Sequence, residues 1–330
     1  MPLRDAPKDK PLCTIVHISD LHFGSKWVIE DESLWRTILP KLPALRLLTG
    51  FYPHSYQAAT QLSIAVRRIF LARRNDGVPA VLVHSGDLTA RGAEGEFSVG
   101  NTFLLGGHGV PGSRAVAGLE LAGEFRDVSF LDIPGNHDLW SRWDNRMQSA
   151  ASAHYGGVYP RRLDVELSGG WRLILHGMDS NRSRLTSDAL ANGEIPARDL
   201  TEACKRLEAC CGDRVIQGIV LHHPLAIKPG TEPKLFGREI QKLKSRDTVA
   251  RQLRSAGAQF VLCGHIHSQQ VLVRGPRRPL QFTAGSGCQM GGPHHFWTLD
   301  IHPGSVVAAV HEIPSGCIAY ERAAGTRHAF

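Results

Sequence analysis

The sequence of 330 residues predicts an α/β fold with a core of two mixed sheets flanked by helices, and three observations carry that expectation. Short, nearly continuous apolar runs rich in β-branched residues have the character of strands buried on both faces. Segments with apolar residues three and four apart lie between them, as in amphipathic helices. From Leu163 onward, strand-like runs follow one another closely, which adds an antiparallel component.

The first buried run is Leu12 to Ile18. The connection that follows, Gly24 to Gly77, is long and carries Trp27, Trp35, Phe51, Tyr52 and His54 among three prolines. Residues 24–77 are therefore expected to form a helical insertion. Packed on the sheet it is structural; as a partial lid it brings Tyr52 or His54 toward a substrate. Its second half, Tyr56 to Arg74, has helical periodicity. Ala80 to Val83 is the next strand, Gly95 to Leu105 a helix and Val128 to Ile133 a strand. Leu163 to Leu167 and Trp171 to His176 read as strands, Ala197 to Cys211 as a helix, and Ile216 to Leu221 and Phe260 to Cys263 as buried strands. Gln269 to Arg274, Leu280 to Thr283, Phe296 to Ile301 and Val306 to Ile313 complete the set. There is no repeat and no low-complexity tract, so residues 1–330 are expected to form one domain.

Hydrophobic residues make up 42% of the chain and charged residues 21%, which supports a large core and excludes a disordered chain. No stretch approaches the roughly 18 apolar residues of a membrane span, and Met1 to Lys10 is polar, so a cytoplasmic protein is expected. Seven cysteines without a C-x-x-C pair suggest buried free thiols rather than disulfides or a thiolate site. The formal charge of +7 attracts nucleic acid only if it is clustered. Arg67-Arg68, Arg73-Arg74 and Arg277-Arg278 are short, scattered pairs, so nucleic acid is not the favoured partner.

Ligands of open α/β sheets bind beyond the carboxyl ends of strands. Each buried run here delivers polar residues at that end: Asp20-Leu21-His22, Gly86-Asp87, Gly135-Asn136-His137-Asp138, His222-His223-Pro224 and Gly264-His265-Ile266-His267. Residues two apart on an extended segment point the same way, so Asp20 with His22, and His265 with His267, each present two donors to one place. Carboxylate, amide oxygen and imidazole without sulfur suit manganese, iron or zinc. Seven candidate ligands (Asp20, His22, Asp87, Asn136, His222, His265 and His267) exceed the needs of one ion and match two divalent ions sharing a carboxylate, for which Asp87 is the natural bridge. Two such ions make hydroxide from water near neutral pH and neutralise a phosphate ester between them. His137, beside Asn136, is placed to protonate the leaving oxygen.

These motifs, in this order from Asp20 to His267, resemble the calcineurin-like metallophosphoesterase superfamily. The resemblance implies a four-layer α/β/β/α sandwich. It also implies one metal on Asp20, His22, Asp87 and His267, and the other on Asp87, Asn136, His222 and His265. Ser85-Gly86-Asp87-Leu88-Thr89, Met178-Asp179-Ser180, His222-His223-Pro224 and Ala284-Gly285-Ser286 resemble the cyclic-nucleotide phosphodiesterase-like branch more closely. The implied activity is hydrolysis of a small soluble phosphodiester, with a phosphomonoesterase or nuclease as the alternative and a metal-free scaffold as a remote one. Gly86 to Gly92 is similar to the G-D-x-x-D-R-G segment of the Ser/Thr phosphatase branch, but Ala90 stands where that branch has the Asp that orients its catalytic histidine. The orienting partner of His137 is thus open, and Arg91 is a candidate phosphate contact. His223 is expected beside the substrate or supporting a ligand, His17 and His84 as satisfied core or supporting groups, and Asp138 as a local hydrogen-bond acceptor. The substrate, the metal loaded and the oligomeric state are not legible at this level. Gly107 to Gly112 fits G-x-G-x-x-G literally but lacks the strand–turn–helix context of a nucleotide site.

Overall fold

The computed structural model describes residues 10–24, 56–106, 118–139, 145–181, 192–231, 234–235, 238–239, 243–272, 275, 278–288, 294–313, 321–322 and 325–330. In chain order the elements are β1 (Cys13–Ile18), α1 (Tyr56–Asn75), β2 (Ala80–His84), α2 (Glu94–Leu105), β3 (Ser129–Asp132), α3 (Asn145–Tyr155), β4 (Arg161–Glu166) and β5 (Arg172–Gly177). There follow α4 (Ala197–Ala209), β6 (Val215–Val220), β7 (Lys234–Leu235), β8 (Arg238–Glu239), α5 (Arg246–Ser255), β9 (Phe260–Cys263) and β10 (Gln270–Leu272). The chain closes with β11 (Leu280–Thr283), β12 (His294–His302), β13 (Ser305–Ile313), β14 (Glu321–Arg322) and β15 (Thr326–Ala329).

Two mixed sheets form the core. The first runs β14-β13-β12-β1-β2-β3, with β15 on β13; β1, β2 and β3 are parallel and β12 lies antiparallel on β1. The second runs β10-β11-β9-β6-β5-β4, parallel through its centre and antiparallel at both edges. Side-chain alternation along each strand explains the layering. Ile15, Val81, Val83 and Leu131 on one sheet and Leu173, Leu175, Val220 and Leu262 on the other form a single apolar layer between the sheets. Val16, Ile18 and Leu82 point the opposite way, onto Leu62, Val66 and Phe70 of α1 and onto Phe97 and Phe103 of α2. Ile219, Leu221 and Val261 do the same against Leu200, Ala203 and Leu207 of α4 and Val249 and Leu253 of α5. The order of layers is helix, sheet, sheet, helix, the sandwich expected.

One close contact sets the spacing of the second sheet. A Cβ on Gly218 of β6 would lie 2.5 Å from the Phe260 ring, so the glycine makes room for a phenylalanine in the inter-sheet layer. Within the 24–77 insertion, α1 packs its apolar stripe on the first sheet, while Tyr52 and His54 lie outside the described residues. The thiol expectation is corrected in part. Cys13, Cys263 and Cys288 are buried, Cys204 and Cys210 are half-buried, and Cys211 is exposed just beyond α4, where the helix has ended and its face is no longer covered. No helix among the described residues is long and apolar enough to cross a membrane.

Candidate metal centre

The parallel strands of both sheets end on the same side, and their first loop residues converge. Five of the candidate residues adopt a left-handed backbone: Asp20 (φ 55°), His22 (φ 47°), Asp87 (φ 58°), His265 (φ 73°) and His267 (φ 52°). Only Glu120 and Ser245 share that conformation among the other described non-glycine residues. Such strain persists where the surroundings over-determine it, and it concentrates at functional sites. It curls each loop so that side chains two apart aim at one point. Gly135 and Gly264 let the loops nest: a Cβ on Gly135 would sit 2.1 Å from Asp87 Oδ1, and one on Gly264 would sit 1.9 Å from Ser19 Oγ and 2.5 Å from Asp20 Oδ2.

The donors fall into two groups that meet at Asp87. Asp20, His22 and His267 form one, with His267 Nε2 3.2 Å from Asp20 Oδ1 and 3.2 Å from His22 Nε2. Asp87, His222 and His265 form the other, with His265 Nδ1 3.1 Å from His222 Nε2. Asn136 Oδ1 joins this second group 3.0 Å from His222 Nε2. Asp87 faces both: its Oδ2 is 3.6 Å from His22 Nε2 and 3.2 Å from His222 Nε2, while its Oδ1 accepts the main-chain N–H of His137 at 2.8 Å. Asp20, His22, Asp87 and His222 are essentially sealed from solvent. His267, 14% exposed, stands at the open side.

The electrostatics are those of a site built for cations. Burial opposes ionisation of Asp20, but His267, His22 and His222 outweigh it and hold the carboxyl well below the usual range. Burial likewise works against Asp87, and His222, His137 and His22 push its carboxyl far down. Burial lowers His222 too, yet Asp87 and Asp20 raise it to about 9; His22, held by burial and by the charge of His137, falls to about 4. Two sealed carboxylates among nitrogen donors demand compensating positive charge. The donor set of two carboxylates, one amide oxygen and four imidazoles, in two groups sharing one carboxylate oxygen, fits a pair of borderline divalent ions.

Supporting contacts fix the ligating atoms. His222 Nδ1 donates to the Ser85 carbonyl at 2.9 Å, which leaves Nε2 facing Asp87. The main-chain N–H of His265 donates to Asp20 Oδ2 at 3.0 Å, and Ser286 Oγ donates to the Asp20 carbonyl at 2.9 Å. Asp138 accepts from the main-chain N–H groups of Leu88, Thr89 and Gly135, from Thr89 Oγ1 and from Tyr155 Oη, so it clamps the Asp87 loop to the Asn136 loop as a structural acceptor. His17 Nε2 meets Ser85 Oγ at 2.9 Å and His84 Nδ1 meets Asp132 at 2.7 Å, both supporting contacts.

The vacancy left by Ala90 is filled by its own backbone. His137 Nδ1 lies 3.0 Å from the Ala90 carbonyl, and because a carbonyl only accepts, Nδ1 carries the proton. The ring stands edge-on to His22 with centroids 4.5 Å apart, and His137 groups with His22 and Asp87. His223 is fully buried, bonded through Nδ1 to Ser180 Oγ at 2.9 Å and packed on the His265 ring at 4.3 Å. Arg91 follows Ala90 on an exposed turn, its main-chain N–H donating to Glu96 at 2.8 Å. The clamp by Asp138 and Tyr155 and the role of the Ala90 carbonyl were beyond sequence reasoning in detail; the Asp in Gly135-Asn136-His137-Asp138 was the one signal for the first.

The model of the calcineurin-like phosphoesterases matches residues 13–269, a span that contains every loop of this centre. The chain belongs to the calcineurin-like phosphoesterase family. Its fold is similar to that of a dimetal phosphatase from Danio rerio, with TM-score 0.56, 14% identity, and 97% of this chain and 99% of that one covered. It is also similar to GAP50, the anchor in the inner membrane complex of Plasmodium, with TM-score 0.54, 11% identity, and 96% and 90% covered. No curated protein matches by sequence. Family membership and the paired His/Asp groups together identify a divalent dimetal site in a metal-dependent phosphoester hydrolase fold.

Proposed function

We propose that this phosphoesterase is a phosphodiesterase acting on a small soluble diester, of which a cyclic nucleotide is one example, and that it belongs to the cyclic-nucleotide phosphodiesterase-like branch. The observation that carries the hydrolytic reading is Asp87 Oδ2, which faces both donor groups at once. In this reading Asp20, His22, Asp87 and His267 hold one ion, and Asp87, Asn136, His222 and His265 the other. Divalent ions held there would supply Lewis acidity and a nucleophile drawn from water at neutral pH.

The chain's own part is to orient and to move a proton. Asp20 and Asp87 concentrate negative charge where a phosphate ester must be neutralised. His137 is the general acid: with Nδ1–H donated to the Ala90 carbonyl, the proton given to the leaving oxygen is held on Nε2. His223 supports His265 from beneath through Ser180 and borders the substrate, and Arg91, Tyr52 and His54 are candidate substrate contacts. The diester preference rests on the segments that resemble the branch. Each of them surrounds the centre: Thr89 under Asp138, Asp179 accepting from the Asn181 amide that also donates to the Pro134 carbonyl, Ser180 under His223, and Ser286 under Asp20.

The test compares hydrolysis of bis-p-nitrophenyl phosphate, p-nitrophenyl phosphate and single-stranded DNA by the manganese-loaded protein. Diester turnover exceeding the other two is expected. Monoester turnover without diester turnover overturns the substrate reading, and DNA cleavage alone identifies a nuclease.

A further inference from the structure

A cavity of ≈ 280 Å³ opens at the edge of the sandwich between α2, α3, β3 and β4. It shares no residue with the metal centre. One wall is apolar, with Phe130 of β3 and the half-exposed Leu105 at the end of α2. The lining also carries cationic groups, His154 of α3 and Arg161 and Arg162 of β4.

Among the described residues the cavity holds one carboxylate, Asp132, and that group is already committed. Its Oδ1 meets His84 Nδ1 at 2.7 Å, its Oδ2 meets His154 Nε2 at 2.7 Å, and its main-chain carbonyl accepts from Arg161 Nη1 at 3.1 Å. That carbonyl is the only hydrogen-bond partner of the Arg161 guanidinium among the described residues, and no carboxylate there forms an ion pair with it. Arg162 shares Asp164 with Arg172, so two guanidinium groups divide one acidic partner. Burial disfavours charge on His154, but Asp132 outweighs it and raises the imidazole above its ordinary value, which extends the pH range in which it is cationic. A small cavity lined by both apolar and polar groups has the form of a small-molecule site, and ≈ 280 Å³ lies just below the roughly 300–1,000 Å³ such sites span, room for a small ligand.

We propose that this cavity is a second ligand site, separate from the metal centre, which takes a small oxyanion. Arg161, with His154 beside it, binds the anionic head, and the Leu105 and Phe130 wall receives any short apolar group attached to it. Phosphate carried on such a group and free phosphate share this head chemistry. Arg161 provides a fork of donors suited to two oxygens of a phosphate.

Calorimetric titration of the metal-loaded protein with inorganic phosphate, and separately with phenylphosphonate, tests the inference. Two binding events are expected with each probe. Asp87→Asn should remove the event at the metal centre and keep the other. Arg161→Gln should weaken the second event about tenfold or more, as expected for a lost charge-assisted contact, and keep the first. Leu105→Glu, which disturbs no hydrogen bond of the Asp132 cluster, should do the same by placing a negative charge at the rim. Tighter binding of phenylphosphonate than of phosphate at this event identifies an organic anion as the ligand class, and equal binding identifies the free ion. A single event that disappears with Asp87→Asn, or a second event that survives both Arg161→Gln and Leu105→Glu unchanged, overturns the proposal.

Discussion

Adding one methyl group at Gly135 should disable the centre while leaving the fold in place. The Cβ of Gly135→Ala would lie 2.1 Å from Asp87 Oδ1 and 2.3 Å from the Asp87 main-chain nitrogen. Ordinary contact begins near 3.4 Å, so the carboxylate and its backbone must retreat by about 1.3 Å, and no rotamer change avoids a backbone atom. That movement carries off the oxygen that faces both donor groups and stretches its 2.8 Å bond from the His137 N–H. Overpacking of this kind costs about 1–3 kcal/mol of stability, a fraction of what a domain possesses. Displacing a positioned group by about 1 Å costs on the order of 100-fold in rate. The assay pairs manganese titration by calorimetry with turnover of bis-p-nitrophenyl phosphate and a thermal melt. A folded variant with metal affinity weakened about tenfold and turnover reduced about 100-fold is expected, from the lost geometry of a shared ligand. Gly95→Ala is the control: nothing among the described residues lies within 4 Å of its Cβ, it sits in the first turn of α2, and it should be neutral or stabilising by up to about 1 kcal/mol with turnover unchanged. Wild-type metal affinity and turnover in folded Gly135→Ala would show that the Asp87 position does not depend on Gly135.

Because the Ala90 main chain orients His137, Ala90→Ser should leave turnover within about threefold, whereas His137→Ala should lose about 100- to 10,000-fold while retaining its metal, as read by steady-state kinetics and metal analysis. Asp138→Ala strands buried donors from Leu88, Thr89, Gly135 and Tyr155 and should lower stability by about 3 kcal/mol or more in chemical denaturation. Asp132→Asn tests the pairing with His84 and His154 through pH. Burial raises the Asp132 carboxyl but its two histidines lower it on balance, so its contribution is full above the unfolded value near about 3.9 and is lost as pH falls through the lower folded value. The raised His154 contributes fully below about 6.5 and loses that contribution as pH rises through its folded value. The difference in melting temperature between wild type and Asp132→Asn should therefore be largest between about pH 4 and 6.5 and shrink on either side; a pH-independent difference contradicts the assignment.

The central strands were legible because burial on both faces leaves a continuous apolar run, and β9 and β11 fall on the expected residues, Phe260 to Cys263 and Leu280 to Thr283. The donors that end those strands were legible for a related reason: a sealed carboxylate or imidazole after an apolar run has few structural uses. α3 and α5 were not anticipated. α5 buries only Val249, Ala250 and Leu253 amid Arg and Asp, a stripe too narrow to stand out from a polar loop. The Ala90 carbonyl has no side chain to announce it, and every residue carries the same acceptor. The cluster of Asp132, His84 and His154 depends on the β2–β3 register, which sets His84 opposite Asp132, and on a helix the periodicity did not mark.

The proposed function requires Asp87 to join two metal sites into one hydrolytic centre. Elemental analysis of the protein purified with manganese, run beside bis-p-nitrophenyl phosphate turnover for wild type and Asp87→Asn, measures it directly. Two divalent ions per chain in the wild type are expected, with occupancy of both sites and turnover falling together in Asp87→Asn. A wild-type chain that turns over with a single ion, or an Asp87→Asn chain that keeps two ions and full activity, would contradict the account.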